Sequence, residues 1–180
     1  KFNFNREAFQ IRKFLILSRI SESKSLEIAI ESFLKSKFNN YKLDIIGGPL
    51  NKADEDYFSS LKDKYENKNI KFLGKIKHGE LPGKLLEYDV HFNCAKDGFF
   101  DKSILETLSC EIINFYKNKD FNNIFGNDFF NFTNSEDLVI KLNQLSRHDN
   151  KEIYFRLKNI KSQLQKNSLK TLNKRLVDYL

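Results

Sequence analysis

The sequence predicts an α/β domain built on a parallel, doubly wound sheet of about six strands, and three observations carry that prediction. Short continuous apolar runs alternate with segments of helical period, as strands do when helices bury both of their faces. The segments between runs are long enough to be helical crossovers, and right-handed crossovers make successive strands parallel. Two of the runs end in glycine, where a strand must turn sharply.

The runs are residues 14–18 (FLILS), 43–47 (LDIIG), 70–74 (IKFLG), 89–93 (DVHFN) and 112–116 (IINFY), with a weaker sixth, FFNF, near Phe129. After the first run, Leu26, Ala29, Ile30, Phe33 and Leu34 fall at i, i+3, i+4, i+7 and i+8, which puts one apolar stripe on a helix. Tyr57, Phe58, Leu61 and Tyr65 form the next stripe. Thr133 followed by Glu136 is a capping-box pattern ahead of Leu138, Leu142 and Leu145, and starts a later helix. The Asn-rich stretch 118–134 reads as a surface loop, and two more helical patterns fill the end of the chain. The expected organisation is one domain over 1–180, with an α/β core at 13–146 and basic helices at 147–180.

Composition bounds the function. The 180 residues include 18 Phe and 7 Tyr, enough bulky apolar side chain for a real core, so wholesale disorder is excluded. No apolar run approaches the ~20 residues of a membrane span. The chain starts at Lys1, contains no Met and shows no secretory leader, so the expectation is a soluble fragment of a longer protein. Cys94 and Cys110 have neither CxxC spacing nor a histidine cluster, so no disulfide framework or metal site is signalled and a cytosolic setting is expected. The formal charge is +7, and residues 151–180 carry most of it. An anionic partner would meet that tail first.

In a doubly wound sheet, ligands sit at the carboxyl ends of the strands. The first end, SRISESKS, places Arg19 and Lys24 around a short loop that opens a helix. They are either joint ligands for a pyrophosphate or two solvated charges. GxGxxG is missing there, which argues against a nicotinamide or flavin dinucleotide. The second end carries Gly47 and Gly48 in a tight turn, which brings backbone close to a ligand or to the next helix. The third has Gly74, Lys75 and Ile76, with His78 beyond them as a capping or surface group. The fourth, GFFDKSILETLSC, runs from Gly98 through Phe100 into a helix start. There the amides of Asp101, Lys102 and Ser103 make an anion site. Glu106 lies one turn further in, either accepting from a ribose diol or pairing with Lys102. His91, inside a strand run, reads as a satisfied interior or edge group.

Taken together these ends resemble the carboxyl-terminal, nucleotide-sugar-binding domain of GT-B glycosyltransferases of the retaining family-4 type. FLILSRISESKSLEIAIESF is similar to that family's first strand, its GR turn, EK step and helix, and KLDIIGGP is similar to its VIVGDGP turn. IKFLGKIKHGELPGKLLEYDVHF resembles FLG-x-V-x-x-x-ELP and the strand after it, and GFFDKSILETLSC resembles the segment ending in LLEALACG. The resemblance covers about residues 13–116.

It implies a Rossmann-like three-layer α/β/α domain, the donor half of a two-domain enzyme that transfers a sugar from a nucleotide diphosphate to a glycan or lipid with retention of configuration. It implies no cofactor and no metal. Arg19 and Lys24 match the pyrophosphate cations. Glu106 matches the second Glu of a Glu-x7-Glu pair that holds the ribose, and Gly74, Lys75 and Ile76 match the turn against the base. Asp101, Lys102 and Ser103 match the helix-start amides that face sugar and phosphates. Gly98 stands where the first Glu usually contacts the sugar, with Asp97 one residue out of register, so Asp101 is the alternative sugar contact. Ser18 and Ser25 replace family glycines, and Glu111 and Ile112 replace Gly and Pro. The implied setting is cytoplasmic, peripheral to the inner membrane face, with the acceptor held by an amino-terminal domain and no nucleic acid partner. The alternative is a non-catalytic α/β module whose basic tail binds nucleic acid or anionic membrane.

Overall fold

The computed structural model describes residues 11–98, 101–122 and 130–146, together with residues 153, 159 and 162. Its five strands are β1 (Lys13–Leu17), β2 (Lys42–Ile46), β3 (Ile70–Gly74), β4 (Val90–Asn93) and β5 (Ile113–Tyr116). All neighbours pair in parallel, in the order β3-β2-β1-β4-β5. The helices are α1 (Leu26–Lys35), α2 (Lys52–Tyr65), α3 (Leu81–Leu85), α4 (Lys102–Ser109) and α5 (Ser135–Leu145). Connections step outward from β1 to β3, return past β1 to β4 and continue to β5. The direction therefore reverses between the neighbours β1 and β4, and a crevice opens at their carboxyl ends.

Alternation along the strands sorts the core into two clusters. Phe14, Ile16, Leu43, Ile45, Val90, Phe92, Ile113 and Phe115 pack with the stripes of α1, α2 and α5. Leu15, Ile46 and Ile112 pack with Leu81, Leu85 and Tyr88 around α3. Phe14 is fully buried at the centre of the first cluster, 5.2 Å from the Phe33 ring and 5.7 Å from that of Phe92. Truncating such a side chain costs about 3–5 kcal/mol. Asp44 interrupts an apolar run and is buried, where it accepts from the Tyr88 hydroxyl and the Lys13 ammonium, each at 2.8 Å. Burial, and then the bond to Asp44, push the Tyr88 phenol well above its usual range.

Several expectations are corrected. The weak sixth run is not a strand among the described residues: it contributes one isolated parallel bridge, Tyr116 to Asn131, so the sheet has five strands. Phe130 and Phe132 are spent filling the core, and Phe130 stacks edge-on against Phe115 at 5.6 Å. The Asn-rich stretch is accordingly more than a surface loop. Asn118 is buried and caps a 3-10 turn over Lys119–Phe121, and Phe121 is fully buried. Leu34, assigned to the α1 stripe, is 37% exposed, and Ser32 takes a buried place instead. The capping box before α5 lies one residue later, with Asn134 accepting from the Asp137 amide while Asp137 accepts from the Thr133 amide.

No described helix is long and apolar enough to cross a membrane. The two basic helical patterns at the end of the chain fall outside the described residues apart from three positions, of which Ile153 is buried in the main cluster.

Candidate functional site

The site forms where the four strand-end loops converge. After β1, the Ser18 amide continues the ladder to the Ile46 carbonyl at 3.0 Å, and the chain then releases Arg19 outward. A 3-10 turn over Glu22–Lys24 follows, and Ser25 enters α1 with φ 47° and ψ 50°. That left-handed conformation favours glycine, and Ser25 stands where the resembling family carries one. Glu111, at another such glycine position, has φ 61°.

After β2, Gly47 turns at φ 140° and presses its backbone against the Ser18 carbonyl. Its amide donates to the Gly74 carbonyl at 2.9 Å, which ties the second loop to the third. Gly74 turns at φ 73°, and the alkyl chain of the next residue, Lys75, lies across Gly48. After β4, Asp97 accepts from the Lys119 amide at 2.8 Å and the Gly98 amide donates to Asp120 at 2.7 Å. These bonds dock that loop on the 3-10 turn after β5. Asp101 then caps α4, its Oδ1 accepting from the Ser103 amide at 3.2 Å and the Ser103 hydroxyl at 2.9 Å.

A cleft of about 360 Å³ results. Arg19 reaches it from the first loop, Gly47 and Gly48 from the second, Lys75 and Ile76 from the third, and Asp101, Lys102, Ser103 and Glu106 from the start of α4. Its apolar part, Leu17, Ile46, Leu50 and Leu81, escaped the sequence reading. These residues sit at run ends and in the segments GGPL and ELP, so position relative to the strand ends was the signal available.

Three expectations change here. Lys24 does not line this cleft: its Nζ lies 2.7 Å from Asp101 Oδ2, with the two side chains 16% and 13% exposed. The helix start is not an open set of amides, because Asp101's own carboxylate occupies the Ser103 amide. Among the described residues no ion pair joins Lys102 to Glu106, so the Glu106 carboxylate stands in the cleft as an acceptor. Gly74 and Gly98 shape their turns without lining the cleft, and Phe100 falls outside the described residues.

Burial alone would raise the Asp101 carboxyl, but the Lys24 ammonium and the Ser103 donors outweigh it and hold the group below its usual range. Beneath the cleft, His91 is fully buried. Its Nδ1 lies 2.6 Å from Asn114 Oδ1, an acceptor that also receives the Thr107 hydroxyl at 2.7 Å. Burial holds His91 below its usual value, in the neutral form. Burial also pushes the Cys94 thiol up to about 12, which makes it an inert filler. Among the described residues, no group of three or more His, Cys, Asp or Glu side chains is placed to hold a metal ion.

The arrangement suits an anion with an apolar end: Arg19, Lys75 and Lys102 are cations on its walls, Glu106 is an acceptor, and aliphatic side chains lie between. No curated protein matches the sequence significantly. The fold is similar to that of HepE from Anabaena in complex with UDP and glucose (18% identity, TM-score 0.77, 94% of this chain and 48% of that one). It is also similar to a mutant of S. aureus TarM in complex with Fondaparinux, alpha-GlcNAc-glycerol and UDP (18%, 0.71, 96% and 36%). The catalytic domain of cholesterol-alpha-glucosyltransferase from Helicobacter pylori is another neighbour (22%, 0.69, 87% and 99%). The chain thus spans about a third to a half of the TarM and HepE chains. These likenesses establish the fold, that of the carboxyl-terminal domain of GT-B glycosyltransferases. The sequence itself matches the family model for glycosyl transferases group 1 over residues 2–159, and the chain belongs to that family.

Proposed function

We propose that this chain is the donor-binding half of a retaining, family-4 type glycosyltransferase, which moves a hexose from a nucleotide diphosphate to a glycan or lipid acceptor. The observation that carries the reading is the cleft at the switch point, where Arg19 and Glu106 face one space between glycine turns. Arg19 and Lys102, the first residue of α4, neutralise the diphosphate, and Lys24 joins them once it leaves Asp101. Glu106 accepts from the ribose hydroxyls. The base lies against the turn at Gly74, Lys75 and Ile76, beside the aliphatic floor. HepE with UDP and glucose supports a nucleotide-sugar donor, and the Helicobacter pylori enzyme named for cholesterol supports a lipid among the acceptors.

In such a transfer the leaving diphosphate gathers negative charge as the glycosidic bond breaks. Fixed cations in a shielded cleft stabilise that charge, each worth on the order of 3 kcal/mol of barrier by analogy with an oxyanion donor. The acceptor would be held by the remainder of the enzyme, so nucleotide binding is the property to test on this chain. Calorimetric titration with UDP and GDP should show binding that the double change Arg19→Ala and Lys24→Ala reduces by at least about tenfold. Equal affinity in both proteins would remove the assignment.

A further inference from the structure

The cation that the donor's diphosphate needs is already occupied by the protein itself. Lys24 Nζ lies 2.7 Å from Asp101 Oδ2, and the pair is shielded, at 16% and 13% side-chain exposure. Solvent and salt screen such a pair less than an exposed one. Asp101 is fixed, because its Oδ1 receives both the amide and the hydroxyl of Ser103 at the start of α4. Lys24 sits at the end of a 3-10 turn on a flexible four-carbon stem. Asp101 lines the cleft, whereas Lys24 lines a small neighbouring recess beside Ser18 and Asn93.

We propose that Asp101 is a specificity-determining gate on Lys24: the carboxylate acts as an internal stand-in for phosphate, and only a ligand with enough negative charge draws Lys24 away from it. The idea rests on the reading of the cleft as a nucleoside diphosphate site. Its physical content is competition. In the free protein the pair neutralises itself, which keeps an unpaired ammonium from collecting weaker anions. A diphosphate bound by Arg19 and Lys102 offers Lys24 several anionic oxygens in place of one carboxylate oxygen. The cost of parting Lys24 from Asp101 is subtracted from the donor's affinity. The carboxylate therefore lowers affinity for every anion, and monoanions lose most of what they would gain.

The test is a double-mutant cycle read by calorimetric titration with UDP, using wild type, Asp101→Asn, Lys24→Met and the double variant, with thermal melts to confirm folding. Asparagine has the shape of aspartate and is as good a helix N-cap, so Asp101→Asn preserves α4 while removing the charge. The expected result is that Asp101→Asn tightens UDP binding by about threefold to tenfold, the range a partly buried ion pair of this kind spans. Lys24→Met should weaken binding, and the double variant should match Lys24→Met, with no gain left for the asparagine to deliver. Unchanged or weaker binding in Asp101→Asn overturns the gate. So does a gain that persists without Lys24, since that would be general repulsion of anions by Asp101. If neither wild type nor Asp101→Asn binds UDP or GDP, the diphosphate reading itself fails and the gate falls with it. Binding without the coupled gain overturns the gate alone.

Discussion

Gly47 lies against Ser18 so closely that a Cβ on it would stand 1.8 Å from the Ser18 carbonyl oxygen. The neighbouring glycine differs. At Gly48 the three atoms nearest an added Cβ all belong to the alkyl chain of Lys75, from 2.9 Å, and such a side chain gives way more readily than backbone. Gly47 also has φ 140°, a conformation that side chains rarely tolerate, whereas Gly48 has no such constraint. Gly47→Ala should therefore cost about 2–4 kcal/mol in urea unfolding. Gly48→Ala should cost less than about 1 kcal/mol and act mainly by displacing Lys75. Similar losses at both positions would show that the turn as a whole, and not the contact with Ser18, demands glycine.

Arg19 and Glu106 face the same cleft with opposite charge, so their losses should be separable by ligand. Arg19→Ala should weaken both UDP and inorganic pyrophosphate by about tenfold, since both present phosphate oxygens to the guanidinium. Glu106→Gln should weaken UDP by a similar factor and leave pyrophosphate unchanged or tighter, because pyrophosphate has no ribose and is repelled by the carboxylate. Competition titrations with the two ligands measure this directly. A Glu106→Gln variant that loses pyrophosphate as well would place Glu106 at the phosphates or in the scaffold.

The strands were legible because each is an apolar run short enough to cross a sheet, fully buried in β4 and β5, nearly so in β1 and β2, and half-exposed only in the edge strand β3. The strand ends were legible through glycine, since Gly47 and Gly74 turn at positive φ. What escaped depends on partners distant in sequence. Lys24 and Asp101 are 77 residues apart, and no local spacing tells that the ammonium meets a carboxylate before any ligand. The aromatic run near Phe129 has strand composition, yet tertiary packing of Phe130 and Phe132 against the core outweighs that propensity. The network of His91, Thr107 and Asn114 did leave a trace. Polar residues stand in two adjacent apolar runs, at positions that pair across β4 and β5.

Ser25 and Glu111 hold left-handed backbone, φ 47° and 61°, without being glycine. Such a residue carries roughly 1 kcal/mol of strain relative to glycine, offset in part by glycine's greater freedom in the unfolded chain. Ser25→Gly should therefore raise stability by about 0.5 kcal/mol, and Glu111→Gly by a similar amount. Both gains are readable as increases in urea midpoint at unchanged slope. Ser25→Val, which adds β-branching at the same φ, should destabilise by about 1–2 kcal/mol. A loss in both glycine variants would mean that the present side chains compensate for their backbone through contacts of their own.

His91 gives the fold an acid-side weakness distinct from that of its carboxylates. Burial holds its pKa below the ordinary 6.5, so between that value and the folded pKa the unfolded chain binds a proton that the native protein refuses. Proton uptake by the unfolded state lowers stability as pH falls, by up to about 1.4 kcal/mol per unit for one such group. Asp101 acts in the same direction, in a lower pH window. Its depressed pKa contributes stability that is present above the ordinary 3.8 and lost only as pH falls further, and Glu31 and Glu87 act likewise below 4.5. Between pH 7.5 and 5 the slope should thus come from His91. His91→Leu should flatten it while leaving the Thr107 to Asn114 bond in place. Unfolding curves in urea at half-unit steps across that window decide the matter, and a slope that survives in His91→Leu would assign it to another group.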